Sequence, residues 1–157
     1  MKLSIATESD INHLMTWFPT ERSVDIWGGP NFRYPLTPES FQEDVRWREM
    51  DTYSLLGPSG DMLAFGQFYE RHGRINLARL VVAPDHRRQG LGKRLVALLM
   101  DRGRETFPLE EFSLYVYHDN HAAVACYTSL GFEEHERPVG DEIPDNCVYM
   151  TRPVKEG

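Results

Sequence analysis

Along the chain, apolar positions change period at short intervals. Residues 2–6 alternate apolar and polar side chains as a strand does. Ile11, Leu14, Met15 and Phe18 then fall at i, i+3, i+4 and i+7, the stripe of an amphipathic helix. Ser9 or Asp10 is its expected N-cap and Pro19 its stop. Residues 27–35 mix Gly, Pro and Asn with Trp27, Phe32 and Tyr34, which predicts a loop of high aromatic content. Thr37 and Pro38 open a second helix expected to run to about Met50. Residues 53–56 and 62–70 read as strands of a hairpin turned by Gly57-Pro58-Ser59-Gly60, and residues 74–82 as a further strand stopped by Pro84.

From Gly90 the period lengthens again. Leu91, Leu95, Leu98 and Leu99 line one face of a helix ending near Phe107 and Pro108. Residues 112–117 form the next strand and residues 120–130 another helix, with Ala123, Tyr127 and Leu130 on one stripe and Gly131 as its C-terminal stop. Residues 148–152 close the sheet. This alternation predicts an α/β (α+β) chain, a mixed sheet covered by helices. At 157 residues it is the size of one domain, expected to span residues 1–157.

Composition narrows the possibilities. The longest apolar run, residues 95–100, is six residues long, far short of the ~20 that cross a bilayer. The first ten residues turn polar early, so a cytoplasmic, membrane-free setting is expected. Cys126 and Cys147 have no CxxC or CxxH spacing and supply neither a disulfide framework nor a zinc site. The formal net charge of −7 repels polyanions, so a nucleic-acid partner is not expected. Residues 84–104 nevertheless carry net +4, leaving −11 on the remainder: an anion site on a chain whose other surface attracts cations.

That basic stretch carries the chemistry. In Leu80-Val81-Val82-Ala83-Pro84-Asp85-His86-Arg87-Arg88-Gln89-Gly90-Leu91-Gly92-Lys93, Gly90 and Gly92 turn the chain tightly off a strand into a helix. Bare backbone N–H groups and the helix dipole at that end favour an anion, with Arg87, Arg88 and Lys93 beside it. The plainer alternative is a solvated basic helix start. A Walker loop is excluded because Arg87 stands at its first glycine and Arg94 at its Ser/Thr, and GxGxxG fails at Leu95.

Arg87-Arg88-Gln89-Gly90-Leu91-Gly92 resembles the (Arg/Gln)xxGx(Gly/Ala) signature of the GNAT N-acetyltransferase superfamily. Asn120-His121-Ala122-Ala123-Val124-Ala125-Cys126-Tyr127-Thr128-Ser129-Leu130-Gly131-Phe132 resembles that family's second segment, NxxAxxxYxxxGF. The pair covers about residues 75–132. The resemblance implies a central mixed, mostly antiparallel sheet with a splayed parallel pair in its middle and helices on both faces. It implies acetyl-CoA as co-substrate, no metal, and transfer of acetyl to a primary amine of a small molecule, peptide or protein by direct attack in a ternary complex. The acceptor is expected to be cationic, and a homodimer is a family-level expectation. Under the same resemblance the pyrophosphate sits on Arg88, Gln89, Gly90, Leu91, Gly92 and Lys93, with Arg87 a further cofactor-binding residue, and the pantetheine arm lies beside Leu80, Val81 and Val82. Asn120 and Tyr127 also contact the cofactor, and Tyr127 is the catalytic acid that protonates the departing thiolate.

The general base does not carry over, because Tyr115 stands where many relatives have Glu. Glu70, Tyr115 and His118 are candidates from strand ends, although a tyrosine with a reference pKa near 10 is a poor base. A non-catalytic acyl-CoA-binding regulatory domain is the alternative. Trp27, Phe32 and Tyr34 are either plugs over the sheet or one wall of the acceptor site, with the family resemblance favouring the wall. Asp119 and Asn120 read as helix caps rather than metal ligands, and Cys126 as a small buried thiol. The acidic run from Glu133 to Asp145 reads as a solvated loop and edge, or as a recruiter of cationic amines.

Overall fold

The computed structural model describes residues 1–155. The chain orders its elements as β1 (Lys2–Ile5), α1 (Glu8–Met15), α2 (Glu21–Gly28), α3 (Pro38–Val45), β2 (Asp51–Leu56), β3 (Met62–Arg71) and β4 (Arg74–Val82). After a short 3-10 turn at Pro84–His86 follow α4 (Leu91–Thr106), β5 (Glu111–Tyr117), α5 (His121–Ser129), β6 (Glu133–His135) and β7 (Cys147–Pro153). The strands form one sheet in the order β1-β2-β3-β4-β5-β7-β6. Every neighbouring pair is antiparallel except β4 and β5. None of the helices described is long and apolar enough to cross a membrane.

Helices cover both faces. On one, Leu91, Leu95, Val96, Leu99 and Met100 of α4 pack on Leu77, Phe112 and Leu114, with α5 beside them. On the other, Ile11, Leu14, Val24, Phe41 and Val45 from α1, α2 and α3 pack on Phe65 and Val81. Each large side chain buried in this way contributes roughly 1.5–3 kcal/mol. Gly66 lets α4 approach the sheet, since a Cβ there would lie 2.6 Å from Leu99 Cδ1.

Several boundaries differ from the sequence reading. The N-cap of α1 is Thr7, one of a reciprocal pair with Asp10, so Asp10 serves as the third helical residue rather than the cap. Thr20 and Ser23 form the same kind of box and start α2, a helix that the turn-rich sequence around Trp27 concealed. Trp27 therefore sits in the last turn of a helix, and the loop begins at Gly29. α3 stops at Val45 because Arg46 takes a left-handed conformation, φ +56°. β6 was hidden by its short, polar and exposed sequence; it is an edge strand, where charge discourages further pairing.

Candidate active site

The site begins with a fault in the sheet. β4 and β5 pair only at Ile75–Phe112 and Asn76–Ser113, after which the two strands diverge. A bulge in β4 accompanies the divergence: Ala78 faces Gln67 and Val81 faces Phe65, so Arg79 and Leu80 together oppose Gly66. Arg79 adopts φ +53°, a costly conformation for a residue with a Cβ. Three contacts hold it there. Its Nη1 donates to Val45 O at 2.9 Å and Gln67 Oε1 at 3.1 Å, and its carbonyl accepts the Trp27 indole N–H at 2.8 Å. The Ala83 N–H turns back to Leu63 O at 2.8 Å, so by strand alternation the Val82 N–H faces the open side.

At the end of β4 the chain enters α4 through two left-handed residues, Arg88 at φ +64° and Gly90 at φ +75°. The starts of α1, α2 and α3 each carry a threonine capping box, whereas Gly90 gives α4 no side-chain cap. The first bond of that helix runs from Arg94 N to Gly90 O at 3.2 Å, leaving the N–H groups of Leu91, Gly92 and Lys93 bare. A Cβ on Gly90 would meet nothing within 4 Å, so the cradle is open, while Gly92 lies against Val82. Among the described residues, Arg87, Arg88, Lys93 and Arg94 make no ion pair, and all four are exposed. Bare donors, a helix dipole and free cations together fit a di- or polyphosphate.

A cleft of about 880 Å³ opens where the strands part, lined by Trp27, Leu80, Val81, Arg87, Asn120 and Tyr127 among the residues singled out from sequence. Asn120 caps α5 by accepting the Ala123 N–H at 3.3 Å. Tyr127 packs edge-on against Phe132, its ring 6.2 Å away. Its hydroxyl makes no hydrogen bond among the described residues. Burial, then the neighbouring Cys126 thiol, raises its pKa well above the ordinary phenol value, so it stays protonated and acts as a donor. Cys126 is itself pushed up by burial, against a smaller pull from Lys93, which leaves it a thiol rather than a nucleophilic thiolate. Val82 and residues 88–93 form the shoulder beside the cleft rather than its wall.

Phe32 and Tyr34 fall outside the cleft lining. Phe32 is buried against Trp27 and Phe41 with the Arg79 guanidinium 5.3 Å from its ring, and Tyr34 is exposed on the surface. Glu70 is exposed and His118, also exposed, binds Asn146 O at 2.8 Å; neither lines the cleft. Tyr115 does line it, but burial and its bond to Asp141 raise its pKa, and its proton is committed to that carboxylate. Among the described residues, no three His, Cys, Asp or Glu side chains gather as a metal site requires.

Several residues that build the cleft escaped the sequence reading. Asp141, inside the acidic run read as solvated, has a side chain only 8% exposed that receives His72 at 2.7 Å, Arg71 at 3.2 Å and the Tyr115 hydroxyl. Burial alone would raise its pKa, but these donors outweigh that and hold it below the usual carboxylate range. The clamp pins the loop between β6 and β7 so that Glu142, Ile143 and Pro144 line the cleft. Asp25, Tyr69, Arg71 and Asn76 line it from α2, β3 and β4. No local motif marks these positions, since they meet only through strand register.

A splayed parallel pair, a bulged strand feeding an uncapped helix and a phenol beside the opening thus meet at one place in the sheet. The Acetyltransferase (GNAT) family profile matches residues 15–132, and the chain belongs to that family. Over 105 residues it is 40% identical to the [ribosomal protein bS18]-alanine N-acetyltransferase of Escherichia coli (strain K12), covering 64% of this chain and 66% of that one. Over 64 residues it is 44% identical to the mycothiol acetyltransferase of Tsukamurella paurometabola, covering 38% of this chain and 20% of that protein. The chain therefore spans a fifth to two thirds of these relatives. The crystal structure of spermidine N-acetyltransferase from Vibrio cholerae in complex with CoA and spermine superposes with a TM-score of 0.77 at 16% identity, covering 97% of this chain and 94% of that one.

Proposed function

We propose that this chain is an acetyl-CoA-dependent N-acetyltransferase acting on a primary amine. The observation that carries the reading is the bare, cation-flanked start of α4 opening into the strand splay beside the Tyr127 hydroxyl. The backbone of residues 90–93 with Arg87, Arg88 and Lys93 would hold the pyrophosphate, and the free edge of Leu80, Val81 and Val82 the pantetheine amides. Acetyl-CoA supplies an acyl group already activated as a thioester, so alignment provides much of the acceleration. The Val82 N–H, free of β3, is placed to stabilise negative charge on a carbonyl oxygen. Tyr127, protonated and unbonded, is the acid that delivers a proton to the leaving sulfur.

No carboxylate stands at Tyr115, so the amine's proton leaves to solvent or to another lining group. That position also supports a second reading, a regulatory domain that binds acyl-CoA without turnover. Monitoring CoA release from acetyl-CoA across an amine panel separates the two. Thiol release dependent on an amine supports the enzyme; tight CoA binding with no release for any amine supports the regulatory domain.

A further inference from the structure

The acceptor side of the cleft has a floor whose polarity acetyl transfer alone does not explain. Asn76 is 3% exposed and stands at the last paired position of the parallel strands, between Ser113 on one side and Tyr69 on the other. Ser113 is fully buried, and its hydroxyl has one partner among the described residues, Asn76 Oδ1 at 3.0 Å. A buried hydroxyl hydrogen needs an acceptor, so this contact orients the amide with its oxygen towards Ser113. Nδ2, with two N–H donors, then turns to the cleft that Asn76 lines, and among the described residues it has no acceptor.

Tyr69 stands beside it and repeats the pattern. Its oxygen accepts from Arg71 Nη1 at 3.0 Å, which leaves its own hydrogen to the cleft. Arg71, held by Asp141 at 3.2 Å, keeps positive charge behind both. Two unmet donors backed by a cation suit an oxygen lone pair and oppose an ammonium. The carboxylates lining the same cleft, Asp25 and Glu142, come from α2 and the loop before β7, off the sheet floor.

We propose that the acceptor is an α-amino acyl unit, an amine one carbon away from a carbonyl or carboxylate, whose oxygen takes the hydrogens of Asn76 Nδ2 and Tyr69. The carboxylates of Asp25 and Glu142 attract its ammonium before it loses a proton. A charged polyamine offers only donors and leaves both floor groups unmet. The inference rests on the acetyl-transfer reading and goes further by choosing among amines. A free amino acid and a peptide N-terminus share this chemistry.

The test measures acetyl-CoA consumption with L-alaninamide, L-alanine, ethylamine and spermidine, ethylamine being alaninamide without its carbonyl. With kcat/KM taken per unprotonated amine, because alaninamide is much less basic than ethylamine, the expected value for alaninamide exceeds that for ethylamine by about tenfold or more, the usual penalty for leaving buried donors unpaired. Spermidine trails both. Alanine above alaninamide identifies a free amino acid as the source, and the reverse order a peptide end. Asn76→Asp keeps the shape but replaces the donors with oxygen, so the ratio of the alaninamide KM to the ethylamine KM rises; Tyr69→Phe shifts that ratio in the same direction. Calorimetric titration of alaninamide and ethylamine into the CoA-saturated protein reads selectivity without turnover. Selective binding without acetylation would remove the enzyme reading and keep this one. Equal kcat/KM for alaninamide and ethylamine, a preference for spermidine, or no amine binding at all would overturn it.

Discussion

The two sides of the cleft are built on different principles. The side proposed for the phosphates is made of backbone: consecutive residues, two left-handed turns and a helix start stripped of the capping box that the first three helices possess. The side proposed for the acceptor is made of side chains from α2, β3, β4, β5 and the loop before β7, joined by cross-strand register and the Asp141 clamp. A backbone cradle that holds only the co-substrate would serve any acceptor. A side-chain floor can change residue by residue while the sheet beneath it stays fixed.

The largest effect is expected at the glycine turn into α4. Gly90→Asp places a carboxylate in open space facing the bare N–H groups, at a φ that Asp tolerates better than most residues. Folding should survive while CoA affinity falls about a hundredfold or more, from like-charge repulsion at contact distance. Unchanged calorimetric affinity in the folded variant would dissolve the distinction between the two sides. Tyr127→Phe probes the junction between them. The rate constant should fall roughly 10²-fold with CoA affinity nearly constant. Since the hydroxyl has no hydrogen bond to lose among the described residues, melting temperature should hardly move; a stability loss with full turnover would make Tyr127 a packing residue.

Smaller changes sharpen the contrast. Arg88→Ala and Lys93→Ala should each weaken CoA binding several-fold at low ionic strength, with the difference shrinking as salt is added because exposed charges are screened. Amine KM should stay constant in both, and a salt-independent loss would argue against direct phosphate contact. On the other side, Asp141→Asn should raise the amine KM by loosening the loop, with CoA affinity unaffected. Its pKa is depressed in the folded state, so its stabilisation is full above the unfolded value near 3.9 and is lost as pH falls through the folded value. The melting difference between wild type and Asp141→Asn should therefore be present at pH 7 and close below about pH 4.

The same contrast governs how much could be read in advance. The long helix after Gly90 and the strands 62–70 and 74–82 were legible because their periodicity is sustained and their stops are Gly or Pro. The cradle was legible because all its parts are adjacent in the chain. α2 was missed because Thr20 and Ser23 cap it without the Glu or Gln of the usual box, and because Gly28, Gly29 and Pro30 dominate the pattern nearby. Asp141 resembled its acidic neighbours, and only the fold brings Arg71 and His72 to it from a hairpin some seventy residues earlier. Asn76 and Ser113 look like ordinary polar positions in strands until register sets them side by side at the last rung of β4 and β5.

That last rung has a mechanical consequence. With β4 and β5 joined at two residue pairs, the sheet is a four-stranded and a three-stranded leaf hinged at Asn76 and Ser113 and bridged on one face by α4. A ligand whose amides bond to the free edge of β4 acts as the missing part of a strand and ties the leaves together. Amide hydrogen exchange should then report CoA binding as slowing at Val82 and also at Val116 and Tyr117, residues on the far leaf, beyond the reach of the phosphate cradle.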